Sequence, residues 1–130
     1  MSSGTRERPG GPVRLGTLEA QVMDVLWTSG AATVREIIAE LPAEPAYTTI
    51  ATVLSNLERK GMVDAKRQGR FVLHRPRMSR EQHIALTMGR ALDAGGDRAA
   101  SIMHFVQTMP EQDRELLREY LQHDDDGARR

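Results

Sequence analysis

Thr48, Thr49, Thr52, Ser55 and Asn56 fall on one side of a stretch whose other side carries Ile50, Val53, Leu54 and Leu57. A helix whose outer face has only to be soluble usually shows Glu and Lys there. Short hydroxyl and amide side chains instead approach base edges and phosphate oxygens closely, and threonine methyls can meet thymine methyls. Immediately downstream, residues 59 to 80 hold eight cations, Arg59, Lys60, Lys66, Arg67, Arg70, Arg75, Arg77 and Arg80, against Asp64 alone. Together these are groups for gripping a polyanion, not for making or breaking a bond. Threonines also start helices, and a charge run is most often a solvated face, so the meaning of both depends on the fold around them.

Other chemistry finds no converging set of groups. His74, His83, His104 and His123 are dispersed, with no pair at i,i+4 and no HExxH arrangement. The absence of cysteine removes disulfides, thiolate metal sites and cysteine nucleophiles together. Met78, Met88, Met103 and Met109 recur at helical spacings and read as core and interface filler. Gly95 and Gly96 precede Asp97, whose charge is poorly suited to a phosphate cradle. No enzyme, no metal site and no cofactor is expected. The run Asp124, Asp125 and Asp126 reads as a helix end giving way to a solvated tail.

The elements that must position the polar face emerge from periodicity. Leu18, Val22, Val25 and Leu26 mark a first helix from Thr17, as its cap, to about Ser29, with Gly30 as its stop. Thr33 and Glu36 have the spacing of a reciprocal cap for a second helix carrying Val34, Ile37, Ile38 and Leu41, which Pro42 ends. A third helix spans roughly Thr48 to Lys60, with Gly61 after it. Met62 to Lys66 and Arg70 to Arg75 are β-favouring runs joined by Arg67, Gln68 and Gly69, and read as a hairpin. Three short helices followed at once by a hairpin is the order of a winged helix-turn-helix, whose third helix enters the major groove and whose wing lies along the backbone. The DNA contacts expected on that basis are Thr48, Thr49, Thr52, Ser55, Asn56, Arg59 and Lys60 from the helix and Lys66, Arg67 and Arg70 from the wing.

Beyond Ser79 the pattern is helical to the end, with breaks at Gly95 and Gly96 and at Pro110. The apolar stripes are narrow: Ile84, Met88 and Leu92, then Ile102, Met103 and Val106, then Leu116, Leu117, Tyr120 and Leu121. Such helices bury little against one another within one chain. Charge divides the same way, since residues 1 to 80 hold 12 Lys and Arg against 8 Asp and Glu while residues 81 to 130 hold 6 against 10. An acidic helical arm that joins two copies is therefore expected, because helix-turn-helix proteins commonly read two half-sites as symmetric dimers.

A length of 130 residues admits one domain or a small domain with an arm, and 4% aromatic content makes the core aliphatic. The expected organisation is a disordered tail over 1–12, a winged-helix domain over 13–77, a helical dimerisation domain over 78–123 and a second disordered tail over 124–130. The fold class is mainly α with a small β-hairpin. No apolar run exceeds three residues and no hydrophobic stretch follows Arg6 and Arg8, which leads us to expect a cytoplasmic chain without a membrane span or signal peptide. A second reading of the same elements is a winged-helix module that mediates protein–protein contact through its basic wing, with no operator of its own.

Leu18-Glu19, Val22-Met23 and Leu26-Trp27, then Val34-Arg35-Glu36, then Tyr47 to Ile50, Thr52 to Leu54 and Leu57 to Gly61 stand in a pattern that resembles the BlaI/MecI, or penicillinase repressor, family of bacterial repressors. Pro76 and the helix start Ser79-Arg80-Glu81 follow in register, so the resemblance covers residues 14 to 123. It implies a homodimer with an N-terminal winged helix and a C-terminal helical dimerisation domain, repressing transcription from an inverted-repeat operator of double-stranded DNA. β-Lactam-response genes are the targets it implies, with a sensor-linked protease as a further partner. In that family a membrane-bound β-lactam sensor triggers cleavage within the dimerisation domain, and the matching bond here is His104-Phe105. Asparagine often precedes that phenylalanine in regulated members, so His104 is a departure. His74 stands where many relatives carry an aromatic residue. Copper sensing through C-terminal cysteines, found in some relatives, has no thiolates here to operate through.

Overall fold

A computed structural model describes residues 15–128; the expected tail over 1–12 and residues 129 and 130 lie outside them. Its elements are α1 (Thr17–Ser29), α2 (Val34–Glu40), α3 (Tyr47–Arg59), β1 (Val63–Gln68), β2 (Phe71–Pro76), α4 (Arg80–Leu92), α5 (Arg98–Thr108) and α6 (Glu111–Ala128). The order is that of a winged helix-turn-helix followed by three further helices, and the class is mainly α. The chain divides into two compact units, one ending at Gly89 and the other beginning at Arg90, so the start of α4 belongs to the first.

Local chemistry sets the element ends. α1 is capped one residue earlier than expected: Gly16 takes the extended cap conformation and its N–H donates to Glu19 Oε1 at 2.9 Å, leaving Thr17 inside the first turn. Gly30, at φ 86°, closes the helix by donating to Leu26 O at 2.7 Å. In α2 the expected reciprocal cap is present, with Glu36 N–H donating to Thr33 Oγ1 at 3.2 Å and Thr33 N–H to Glu36 Oε1 at 2.8 Å. Leu41 is extended ahead of Pro42, whose ring disfavours helical backbone at the residue before it. α3 ends in a Schellman motif: Met62 N–H donates to Leu57 O at 2.9 Å and Gly61 N–H to Glu58 O at 3.0 Å, with Gly61 at φ 78°. The accompanying apolar contact is made by Leu57 and Met62, both wholly buried.

The hairpin differs from expectation in register. β1 continues through Arg67 and Gln68, Gln68 pairs with Phe71, and the turn is the two residues Gly69 and Arg70. Gly69, at φ 61°, supplies the positive φ that a two-residue loop needs at its first central position if the strands are to keep their right-handed twist. A bridge from the α1–α2 connection extends the sheet: Ala32 N–H donates to His74 O at 2.9 Å and His74 N–H to Ala32 O at 2.8 Å.

The core lies wholly in the first unit. Twelve apolar residues are buried there, among them Val22, Met23 and Leu26 of α1, Val34 and Ile37 of α2, Ile50, Leu54 and Leu57 of α3, and Met62 and Val63 at the start of the wing. At about 1.5–3 kcal/mol for each large aliphatic side chain, this set is enough to hold three short helices and a hairpin together. By contrast, α4, α5 and α6 bury no residue. Their ends are nonetheless well made. Ser79 and Gln82 cap α4 reciprocally, Asp97 Oδ1 accepts from Ala100 N–H at 3.1 Å at the start of α5, and Pro110 O accepts the first bonds of α6.

α6 runs past the expected start of the C-terminal tail at 124, since helix continues through Asp124, Asp125 and Asp126 to Ala128. No proline interrupts the segment and glycine enters only at Gly127. Glu111–Arg114 and Glu115–Arg118 ion pairs at i,i+3 support the preceding turns.

His74 is the one buried polar side chain among the described residues, at 8% exposure, and its Nδ1 has no hydrogen-bond partner. Burial pushes its imidazole below the ordinary value of 6.5, opposed by the Ala32 backbone and the Glu58 carboxylate, which favour the charged ring. Because the unfolded chain binds this proton more readily than the folded one, stability from neutral His74 is full above 6.5 and is lost as pH falls through the lower folded value. Denaturant unfolding of the wild type and His74→Phe should therefore show a difference that changes between about pH 7.5 and pH 5, with the wild type losing more stability in acid. Parallel loss in the two proteins would contradict this.

Candidate nucleic-acid interface

The polar face of α3 is positioned by what lies beneath it. Ile50, Leu54 and Leu57 anchor one side of the helix in the core. Thr48, Thr52, Ser55 and Arg59 then follow at i, i+4, i+7 and i+11 on the opposite side, all exposed, with Thr49 beside them. Asn56 is half-buried at the margin of this stripe, and its Oδ1 accepts from Arg59 Nη2 at 3.1 Å. That bond uses the acceptor of Asn56 and aims the Arg59 guanidinium along the helix. Lys60 is placed differently from the other expected contacts. Its Nζ lies 2.9 Å from Glu19 Oε1, with the two side chains 16% and 13% exposed, which ties the end of α3 to the start of α1.

The wing brings the three cations expected there to the same unit, with Arg75 as a fourth on β2. Lys66, Arg67 and Arg70 are exposed, with Arg70 in the turn. Lys66 pairs with Leu73 and Arg67 with Val72, so the two project from opposite faces of the ribbon. Arg67 shares its face with Val72 and His74, the side turned toward the helices. At the wing base Asp64 meets Arg77 at 3.5 Å, so the single acidic residue of the basic run sits away from the tip.

Between α3 and the wing runs an open groove of about 470 Å³. Ser55, Glu58 and Arg70 line it with Arg35, Tyr47 and Phe71, three residues that sequence reading did not single out as contacts. Arg35 stands 5.9 Å from the Tyr47 ring centroid, and Tyr47 and Phe71 are 52% and 63% exposed. In a chain with only five aromatic residues, two exposed aromatics beside cations were the available signal. The composite surface offers hydroxyls, an amide, guanidiniums and aromatic faces, with Glu58 as its one carboxylate. It suits a phosphate backbone flanking base edges.

The residues expected to join two copies lie on α4–α6. Ile84, Met88, Ile102, Met103, Leu116, Leu117, Tyr120 and Leu121 are exposed, and Leu92 and Val106 are half-buried. Leu86 and Phe105 add to these apolar surfaces. Leu86 was missed because it falls off the Ile84–Met88 stripe. The His104-Phe105 bond lies within α5, with both side chains exposed. The four histidines lie on four different elements, β2, α4, α5 and α6.

The chain is similar to known proteins. A family model described as "Penicillinase repressor" matches residues 15–123. The transcriptional regulator BlaI of Mycobacterium tuberculosis (strain ATCC 25618 / H37Rv) is 37% identical over 114 residues, covering 83% of each chain. Among solved structures, the DNA-binding domain of the repressor BlaI is 25% identical, covering 58% of this chain and 90% of that one with a TM-score of 0.48. The CopR repressor is 36% identical, covering 52% and 97% with a TM-score of 0.44. The chain belongs to the penicillinase repressor family, whose members are transcriptional regulators and not enzymes.

Proposed function

We propose that this chain is a transcriptional repressor that binds, as a homodimer, an inverted-repeat operator of double-stranded DNA. The observation that carries the DNA-binding part is the two-sidedness of α3. Its apolar face is wholly committed to the core, while Thr48, Thr49, Thr52 and Ser55 are exposed beside a wing bearing Lys66, Arg67 and Arg70. α3 is 13 residues long, about 20 Å, enough to lie in a major groove and present three turns of side chains to it. In this reading Arg59, Lys66, Arg67 and Arg70 hold phosphates, Thr49, Thr52, Ser55 and Asn56 face base edges, and Lys60 fixes α3 to α1.

The dimer part rests on α4–α6, which expose their apolar side chains and bury none. A second copy covering the same surfaces is the economical partner, because a palindromic operator and a two-fold dimer share one symmetry. The functional domains are then the winged helix over 13–77 and the dimerising helices from 78 onward. β-Lactam-response genes are the proposed targets, with cleavage at His104-Phe105 by a sensor-linked protease as the signal. The described residues contain no helix long and apolar enough to cross a membrane, and we place the repressor in the cytoplasm with its DNA.

Anisotropy titrations across a salt series separate the two kinds of DNA contact. Lys66→Ala, Arg67→Ala and Arg70→Ala should each weaken binding to operator and random duplexes alike, and lower the log-affinity against log-salt slope by about 0.9. Thr49→Ala should cost about 1–3 kcal/mol on the operator and little on random DNA. Equal losses on both DNAs for Thr49→Ala would reassign that residue to the backbone.

Sedimentation should show the full chain dimeric at micromolar concentration and residues 1–89 monomeric. A monomeric full chain would refute the dimer.

Truncation after His104 removes the end of α5 and all of α6, and should leave the winged helix folded by circular dichroism. Loss of tethering between two heads should lower operator affinity by about 10²–10⁴ without altering a DNA-contacting residue. After a β-lactam challenge, immunoblots should show a fragment ending at His104; intact repressor alongside induced target genes would contradict the proteolytic signal.

A further inference from the structure

Trp27 takes no part in the DNA face, yet it makes a long-range polar contact within the first unit. Its indole Nε1–H donates to Met78 O at 3.0 Å, across 51 residues of sequence. The Arg80 guanidinium stands 5.1 Å from the same ring, and Arg80 Nη1 is 2.6 Å from Asp24 Oδ1, one helical turn before Trp27 on α1. The His83 ring lies 5.6 Å from the indole, tilted by 34°. Arg77 N–H donates to Met62 O at 2.9 Å, and Met78 packs against the core. Arg77, Met78, Arg80 and His83 are thus each held to α1 or to the start of the wing, and the fastening ends within the first turn of α4.

A plain linker would not need this. Residues 77–79 are the only non-helical chain between the wing and α4, and left free they would let α4 leave the winged helix in many directions. The 13 residues of α4 make a lever of about 20 Å, so a swing of about 15° at the clasp moves its far end by about 5 Å. On B-DNA, at about 34–36 Å per 10–10.5 base pairs, that is more than one base pair of displacement together with the rotation that accompanies it.

The geometry points to the Trp27 clasp, formed with Asp24, Met78, Arg80 and His83, as the gauge that sets which half-site spacing the dimer accepts. The inference rests on the dimeric, operator-binding reading given above. Trp27 and Arg80 act as positioning residues: they touch no base, and they determine where the second head arrives once the first is bound. With the clasp closed, α4 leaves the winged helix in one direction, which narrows the separations at which the second head is presented. With it open, the heads remain tethered but sample a range of separations, and the effective concentration at any single spacing falls.

Selection from a random duplex pool with the full-length protein tests this directly. Wild type should select inverted repeats with one centre-to-centre spacing. Trp27→Ala and Arg80→Ala should select the same half-site sequence with spacings spread over several base pairs. They should bind the wild-type repeat tenfold or more weakly and a single half-site within twofold of wild type. Trp27→Phe, which keeps a ring but loses the N–H donor, should fall between. Arg80 and Asp24 are about half exposed, so Arg80→Ala serves even if Trp27→Ala fails to fold. A single wild-type spacing retained at undiminished affinity by Arg80→Ala would overturn the gauge while leaving the repressor reading intact. Selection of isolated half-sites by the wild type would overturn the dimer reading and the gauge with it.

Discussion

Full burial of apolar side chains is confined, among the described residues, to one part of this chain, and the rest of the structure depends on that confinement. Val22, Met23, Leu26, Ile37, Ile50, Leu54, Leu57 and Met62 have no exposed surface or almost none, and all lie between α1 and the start of the wing. α4, α5 and α6 leave Ile84, Phe105, Leu116 and Tyr120 in solvent. Hydrophobic stabilisation scales with area removed from water, so the winged helix can hold its own shape while the later helices need apolar surface supplied from elsewhere. The proposed division of labour, between a self-sufficient DNA-binding head and helices that associate with a second copy, rests on this one asymmetry.

The candidate interface inherits its order from the same core. Because Ile50, Leu54 and Leu57 are fixed inside, the rotation of α3 about its axis is fixed, and with it the side on which Thr48, Thr52 and Ser55 stand. The Schellman motif at Gly61 and the Lys60–Glu19 ion pair set where α3 stops and how the wing departs. The Ala32–His74 bridge holds the wing to the α1–α2 connection, at the cost of burying an imidazole whose Nδ1 has no partner. Burial favours the neutral form of that imidazole, which is cheaper to desolvate than the charged ring.

Features that depend on neighbours in sequence were legible from sequence. The 3.6-residue spacing in α1 and α3, the Thr33–Glu36 cap and the stop at Gly30 are all local, and each stands where the residues imply. The exposed polar stripe was legible for the same reason, since the positions facing inward name those facing out. Misplaced features turned on competition between near-equivalent local choices. Gly16 outcompetes Thr17 as the cap because Glu19 reaches back to it, and the hairpin turn moves to Gly69 and Arg70 because a two-residue loop suits the strand twist. α6 runs past Asp124 although three carboxylates at a helix C-terminus oppose the dipole, a case in which charge pattern alone misjudged length. Contacts across the fold could not be read at all. Trp27 with Met78, Arg35 with Tyr47 and Lys60 with Glu19 are set by tertiary packing, and no spacing rule links them.

The central claim is that the winged helix is stable by itself while α5 and α6 are held by a second copy. Hydrogen exchange of the full-length protein, followed by mass spectrometry over a range of protein concentrations, measures this most directly. Amides of α1–α3 should be protected equally at every concentration, whereas protection of α5 and α6 should rise with concentration and saturate as copies associate. Strong protection of α5 and α6 that is independent of concentration down to where the chain sediments as a monomer would contradict the account.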